Sequence, residues 1–193
     1  MNTTVTTTPA RSARRGNGSG VAHDAARDRG WRLSGRLRKT VLVGHIVASG
    51  AWLGMDAVLG ILVVTAVVTP DAGITAVAAA SIALFATWPL VIAGALALAT
   101  GVVLGLGSKY GLFRYWWVLV KLVLNIVLVS LMIGVLVPDV QALSDSAREA
   151  LVAGTDASVS AQMLYPPIVS STALLVAMTL SVFKPWGRVS RAR

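Results

Sequence analysis

The sequence predicts an all-α protein: a four-helix transmembrane bundle with both termini cytoplasmic and a disordered basic tail at the N-terminus. Three observations predict it. Of 193 residues 55% are hydrophobic and only 13% charged, with mean hydropathy +0.74, where ordinary soluble domains carry about 25% charge. The apolar residues fall into four runs, each as long as or longer than the ~17–25 residues a helix needs to cross the hydrocarbon layer. Third, the base is asymmetric around those runs. Nine Lys/Arg precede the first run, two (Lys109, Arg114) separate the second from the third, and four (Lys184, Arg188, Arg191, Arg193) follow the fourth. The other two connections hold none and one (Arg148), and carry the acids Asp71, Asp139, Asp145, Glu149 and Asp156. The positive-inside rule then puts both ends in the cytoplasm, with the inner membrane as the location.

The elements follow in order. Residues 1–30 are polar and include the run Gly16-Asn17-Gly18-Ser19-Gly20. They cannot bury enough apolar area to offset the entropy of ordering, so a disordered cytoplasmic tail is expected. The membrane domain is residues 31–188. Its first stretch, Trp31 to Lys39, mixes Trp31, Leu33 and Leu37 with Arg32, Arg36, Arg38 and Lys39, a composition suited to anionic headgroups. The first span is about 40–68, closed by Thr69-Pro70-Asp71, and contains Gly50-x-x-x-Gly54, which permits close helix approach. The second is about 74–106. Pro89 near its centre crowds the carbonyl of Phe85 and predicts a kink. Ala93, Ala97, Gly101 and Gly105 then make a small-residue stripe that favours helix packing, within the chain or between copies in a homo-oligomer.

A turn from Gly107 leads to Tyr115, Trp116 and Trp117, an interfacial aromatic belt. The third span is about 115–137, ended by Pro138-Asp139. The extracytoplasmic loop 139–164 has Val140, Leu143, Ala147 and Leu151 at helical spacing, which predicts a short amphipathic helix on the membrane or capping the bundle. The fourth span is about 167–183, and residues 189–193 are a basic end. The first apolar run is about twice the length of a signal h-region, so it is expected to remain as an anchor.

Composition also excludes chemistry. Without Cys there are no disulfides, thiolate nucleophiles, Cys-ligated zinc sites or iron–sulfur clusters. The net charge of +9 lies beside apolar runs, which suits anionic lipid headgroups rather than nucleic acid. Met55, Met132 and Met178 are soft copper ligands in principle, but they are scattered and no metal site is expected.

The candidate site lies on the first and third spans. His45, Ser49, Trp52 and Asp56 fall at i, i+4, i+7 and i+11, so Asp56 returns to within roughly 20° of His45, about 16 Å along the axis. Ionisable groups inside a membrane are costly and mark functional sites. On the third span Lys121 and Asn125 share a face at i, i+4. If the two polar faces meet, His45, Ser49, Asp56, Lys121 and Asn125 form one cluster. Each has a plainer role. His45 and Asn125 can hydrogen-bond between helices, Lys121 can snorkel to headgroups, and Trp52 and Trp88 can be core. Asp56 either pairs with a cation such as Lys121 or sits neutral.

Some of these residues also carry a resemblance. His45-Ile46-Val47-Ala48-Ser49-Gly50-Ala51-Trp52-Leu53-Gly54 resembles the first-helix signature, His followed by Trp-x-Gly, of bacterial membrane proteins of the copper-resistance protein D-like superfamily. A branch of it with no assigned activity has similar forms of Gly111-Leu112-Phe113-Arg114-Tyr115-Trp116-Trp117-Val118-Leu119-Val120-Lys121 and of Leu180-Ser181-Val182-Phe183-Lys184-Pro185-Trp186-Gly187-Arg188. The resemblance covers residues 38–188. The layout is also distantly similar to the small membrane protoporphyrinogen oxidases of haem synthesis, whose first-helix His and third-helix Lys are implicated in haem binding. That resemblance implies haem as a cofactor and His45 and Lys121 as cofactor-binding residues. Where the branch opens its fourth helix near a histidine, this chain has Tyr165-Pro166-Pro167. Three functions stay open: a haem- or metal-linked redox protein, a non-catalytic membrane partner or assembly subunit, and a small-solute or ion transporter.

Overall fold

The computed structural model describes residues 33–107, 115–153 and 158–183, with backbone alone at 150 and 151. The tail 1–30, the turn residues 108–114, the loop residues 154–157 and the basic end from residue 184 lie outside the described residues. No strand occurs among the described residues. Four helical segments are long and apolar enough to cross a membrane: Gly35–Val68, Ala72–Leu106, Trp116–Glu149 and Ala161–Phe183. The protein is a four-helix transmembrane bundle.

Helix α1 (Gly35–Val68) is one uninterrupted helix. It starts in the basic stretch, five residues before the expected 40, because the Ser34 hydroxyl accepts a hydrogen bond from Leu37 N at 3.4 Å and caps the first turn. Its 34 residues span about 51 Å at 1.5 Å each, so it tilts in, or projects beyond, a ~30 Å layer. Asp71 caps the next helix, its Oδ1 accepting from Gly73 N at 2.8 Å and Ile74 N at 3.0 Å.

The second span is two helices, α2 (Ala72–Ala86) and α3 (Trp88–Leu106). The break expected from Pro89 is at Thr87, which leaves helical geometry at φ −85°, ψ −109°. Pro89 sits in the first turn of α3, where its missing N–H costs nothing. Thr87 gives its hydroxyl hydrogen to the Ala83 carbonyl, satisfying one group that the break would expose.

The third span differs from expectation. Helix α4 (Trp116–Leu131) passes into a π-turn (Met132–Leu136) and on into α5 (Val137–Ala153) without a stop. Pro138 therefore does not end the helix. A wide π-turn leaves room for the ring that an α-turn would drive into the preceding carbonyl. The expected amphipathic helix is the continuation of this span. Val140 and Leu143 are buried in the core, and α5 packs on α2. A single 3₁₀ turn (Ala161–Leu164) precedes α6 (Tyr165–Phe183).

Helix α1 packs on α2, α3 and α6, whereas α4 packs on α3 and α6. The first and third spans thus stand on a diagonal. Trp52 is fully buried at the centre with Leu59, Val63, Ala79, Ile82, Ala86, Leu90 and Ala97. Glycine permits that packing at Gly94, where a Cβ would meet Met132 Cε and Trp52 Cζ3 at 3.3 Å. The Gly50/Gly54 pair is different. Both glycines are exposed, with nothing within 4 Å of a Cβ, so this motif packs against no other helix among the described residues. Trp88, 71% exposed, faces outward rather than into the core.

Trp52 touches so much of the core that Trp52→Ala is expected to cost about 3–5 kcal/mol. Unfolding of the purified protein in detergent measures this; a loss under about 1 kcal/mol would contradict the placement of the ring.

Candidate functional site: two cavities on one stripe

The polar stripe of α1 opens on two separate cavities. The larger, about 500 Å³, is lined by His45 and Ser49 of α1, Lys121 and Asn125 of α4, and Ser181 of α6, among apolar residues. The smaller, about 200 Å³, is lined by Trp52 and Asp56 of α1 and Ser170 of α6. The five-residue cluster expected from the sequence is therefore four residues in one cavity and Asp56 in the other. The first and third spans face each other across the larger cavity instead of packing flat together. Their diagonal placement is the reason, since α3 and α6 fill the corners between them.

His45 is held by α3. Its Nδ1 lies 3.0 Å from the Ala97 carbonyl oxygen and 3.0 Å from Thr100 Oγ1. The Thr100 hydroxyl donates to the Leu96 carbonyl. A carbonyl only accepts, so the bond to Ala97 requires the hydrogen on Nδ1, which then donates to both oxygens. The remaining nitrogen, Nε2, carries the lone pair, and no described residue bonds to it. Gly101 makes room for the ring: a Cβ there would lie 3.2 Å from His45 Cε1. Half of the small-residue stripe thus seats the histidine.

The Lys121 Nζ donates to Ser181 Oγ at 2.8 Å and lies 4.6 Å from the centroid of the Trp117 ring, within cation–π range. Trp117 is correspondingly 8% exposed, while Trp116 is exposed. His45 and Lys121 line the same cavity. Asn125 Oδ1 is buried without a hydrogen-bond partner, and exposed Arg38 also lines the cavity.

Asp56, 2% exposed, is not paired with Lys121. The Ser170 and Ser171 hydroxyls lie beside its carboxyl. Its Oδ2, Ser170 Oγ and Trp52 Nε1 form no well-aligned hydrogen bond. Among the described residues no three His, Cys, Asp or Glu side chains gather as metal ligands. Met178 lines the larger cavity, Met132 the smaller, and Met55 neither.

The expected site lacked the contribution of the fourth span. Ser170, Leu174, Ala177 and Ser181 run i, i+4, i+7, i+11, the same spacing as the stripe on α1. That periodicity was the available signal. Thr100 and Ala97 carried none, because one is a common hydroxyl in an apolar helix and the other acts through its backbone.

The Lys121–Ser181 bond joins α4 to α6. A double-mutant cycle with Lys121→Met and Ser181→Ala is expected to give a coupling of about 0.6 kcal/mol, the average for such bonds in membranes. Zero coupling would mean the ammonium sits elsewhere.

Compared with protein-family models, with curated proteins and with solved structures, the chain matches none.

Proposed function

We propose that the larger cavity would hold a haem through the His45 imidazole, in an inner-membrane protein whose two ends are cytoplasmic. The observation that carries this reading is the His45 hydrogen bond to the Ala97 carbonyl. A ligating histidine characteristically donates its other N–H to a carbonyl or carboxylate, which fixes tautomer and ring orientation. Here that bond is made to a rigid helix, and Nε2 keeps its lone pair.

The other residues fit the group. A haem carries carboxylates, and the Lys121 ammonium and exposed Arg38 guanidinium belong to the same cavity. The cavity, about 500 Å³, falls in the ~300–1,000 Å³ range of sites for cofactor-sized ligands, and its walls are largely Leu, Val and Ala. The distant similarity of the layout to the small membrane protoporphyrinogen oxidases implies the same two residues. When bound, haem supplies one-electron chemistry, tuned by the axial ligand and the polarity around it. The chain's own part is to orient the imidazole, neutralise the carboxylates and exclude water.

Growth with a haem precursor, purification and an optical spectrum test the proposal. The wild type is expected to show a Soret band. His45→Ala is expected to lose it, and Lys121→Ala to weaken haem retention about tenfold, equivalent to about 1.4 kcal/mol. A purified protein with no Soret band, or one whose band is indifferent to His45→Ala, sinks the reading. The cytoplasmic placement of both ends rests on the distribution of Lys and Arg. It predicts a fluorescent C-terminal green-fluorescent-protein fusion and an inactive alkaline phosphatase fusion at the same position; the reverse pattern refutes it.

A further inference from the structure

The smaller chamber is not used by the haem reading, and it holds three of the four buried side-chain atoms without a hydrogen-bond partner among the described residues: Trp52 Nε1, Asp56 Oδ2 and Ser170 Oγ. Trp52 is 0% exposed, Asp56 2% and Ser170 9%. In hydrocarbon an unsatisfied polar group costs several kcal/mol. The Ser170 hydroxyl lies beside the Asp56 carboxyl without a well-aligned bond to it, and the Trp52 N–H has no acceptor among the described residues, so one chamber gathers all three.

Water alone does not satisfy these atoms. The chamber measures about 200 Å³, several times the ~30 Å³ share of a water molecule, and each buried water needs 2–4 polar partners. Three polar atoms serve one water. The rest of the wall is apolar, including Leu59, Leu90, Leu128 and Met132. What fits is a molecule that is mostly apolar with one small polar group.

The donor set says which group. The Trp52 indole N–H only donates, while a neutral Asp56 carboxyl, unpaired with any cation among the described residues, and the Ser170 hydroxyl each donate and accept. No basic side chain lines the chamber. The trio therefore suits a carbonyl oxygen, which accepts from Trp52 and Ser170. It equally suits the hydroxyl of a reduced carbonyl, which can donate to Asp56. The chamber's rim includes exposed side chains of the third span (Leu131, Val135) and of the fourth (Tyr165, Val169). In a bundle these exposed apolar residues face lipid, so the route of entry is lateral, from the bilayer. The π-turn Met132–Leu136 forms part of this wall, and such turns recur at functional sites.

We infer that Trp52, Asp56 and Ser170 form a second site, for a lipid-soluble ligand with a small carbonyl head, entering sideways from the membrane. A quinone ring and a lipid ester share that chemistry. The site does not depend on the haem proposal.

Titration calorimetry of the full chain in nanodiscs tests it, with decyl-ubiquinone, a fatty-acid methyl ester of the same tail length, and decylbenzene as the tail without a carbonyl. Saturable binding of decyl-ubiquinone and none of decylbenzene is expected. Trp52→Phe and Ser170→Ala each remove one polar atom while keeping most of the packing, and each is expected to weaken binding about fivefold, the worth of one hydrogen bond. Asp56→Leu is expected to weaken it further. Haem content should not change in Trp52→Phe or Ser170→Ala, which separates this site from the larger cavity. Binding of the ester as tight as that of the quinone assigns the site to a lipid carbonyl; much weaker ester binding assigns it to quinone. Decylbenzene binding as well as the carbonyl compounds, or affinities unchanged in well-folded Trp52→Phe and Ser170→Ala, overturns the inference.

Discussion

Everything polar in this bundle answers to one constraint: hydrocarbon offers no hydrogen-bonding partner, so each polar side chain must be satisfied by the protein or by something the protein holds. Most hydroxyls answer locally. Thr40, Thr65, Ser81, Thr172 and Thr179 each donate to the carbonyl four residues earlier in their own helix. Two cations or potential cations answer across helices, His45 to Ala97 and Lys121 to Ser181. Four buried side-chain atoms among the described residues have neither answer: Trp52 Nε1, Asp56 Oδ2, Asn125 Oδ1 and Ser170 Oγ. All four line one of the two cavities. Unsatisfied polarity and open space coincide, as expected where a bundle has been shaped around ligands rather than only packed.

The two levels share the same helices. Along α1, His45 and Ser49 serve the upper cavity and Trp52 and Asp56 the lower. Helix α6 runs the opposite way, with Ser170 at the lower level and Ser181 at the upper. The stripes are mirror partners in sequence, each spaced i, i+4, i+7, i+11. Leu128 lines both cavities, so the partition between them is thin and apolar.

Much of the fold was legible because a membrane span is a strong signal. Four apolar runs, a kink near Pro89 and the shared faces of His45 with Ser49 and of Lys121 with Asn125 could all be read from hydropathy and helical spacing. What could not be read depended on pairwise geometry. Pro138 looks like a stop, yet a π-turn absorbs it, and no one-dimensional pattern announces a π-turn. Trp117 sits among interfacial aromatics in sequence, but its ring is buried beside Lys121, four residues later. Asp56 lies on the same stripe as His45, so periodicity assigns them one site. Only the diagonal arrangement of α1 and α4 separates them.

The prolines supply the last step. Straight helices pack along their full length and leave little space between them, while interrupted helices cannot. Three interruptions meet at the lower chamber. The second span breaks at Thr87, and Leu90, three residues on, lines the chamber. The third widens into the π-turn before Pro138, and Met132 and Val135 line it. The fourth opens with Pro166 and Pro167, which line it directly. Only α1 is unbroken there, and it contributes Trp52 and Asp56. Each proline alone reads as a kink or a helix end. That interruptions on three spans each contribute lining residues around the buried carboxyl of the unbroken span makes the chamber a product of helix geometry rather than of loose packing.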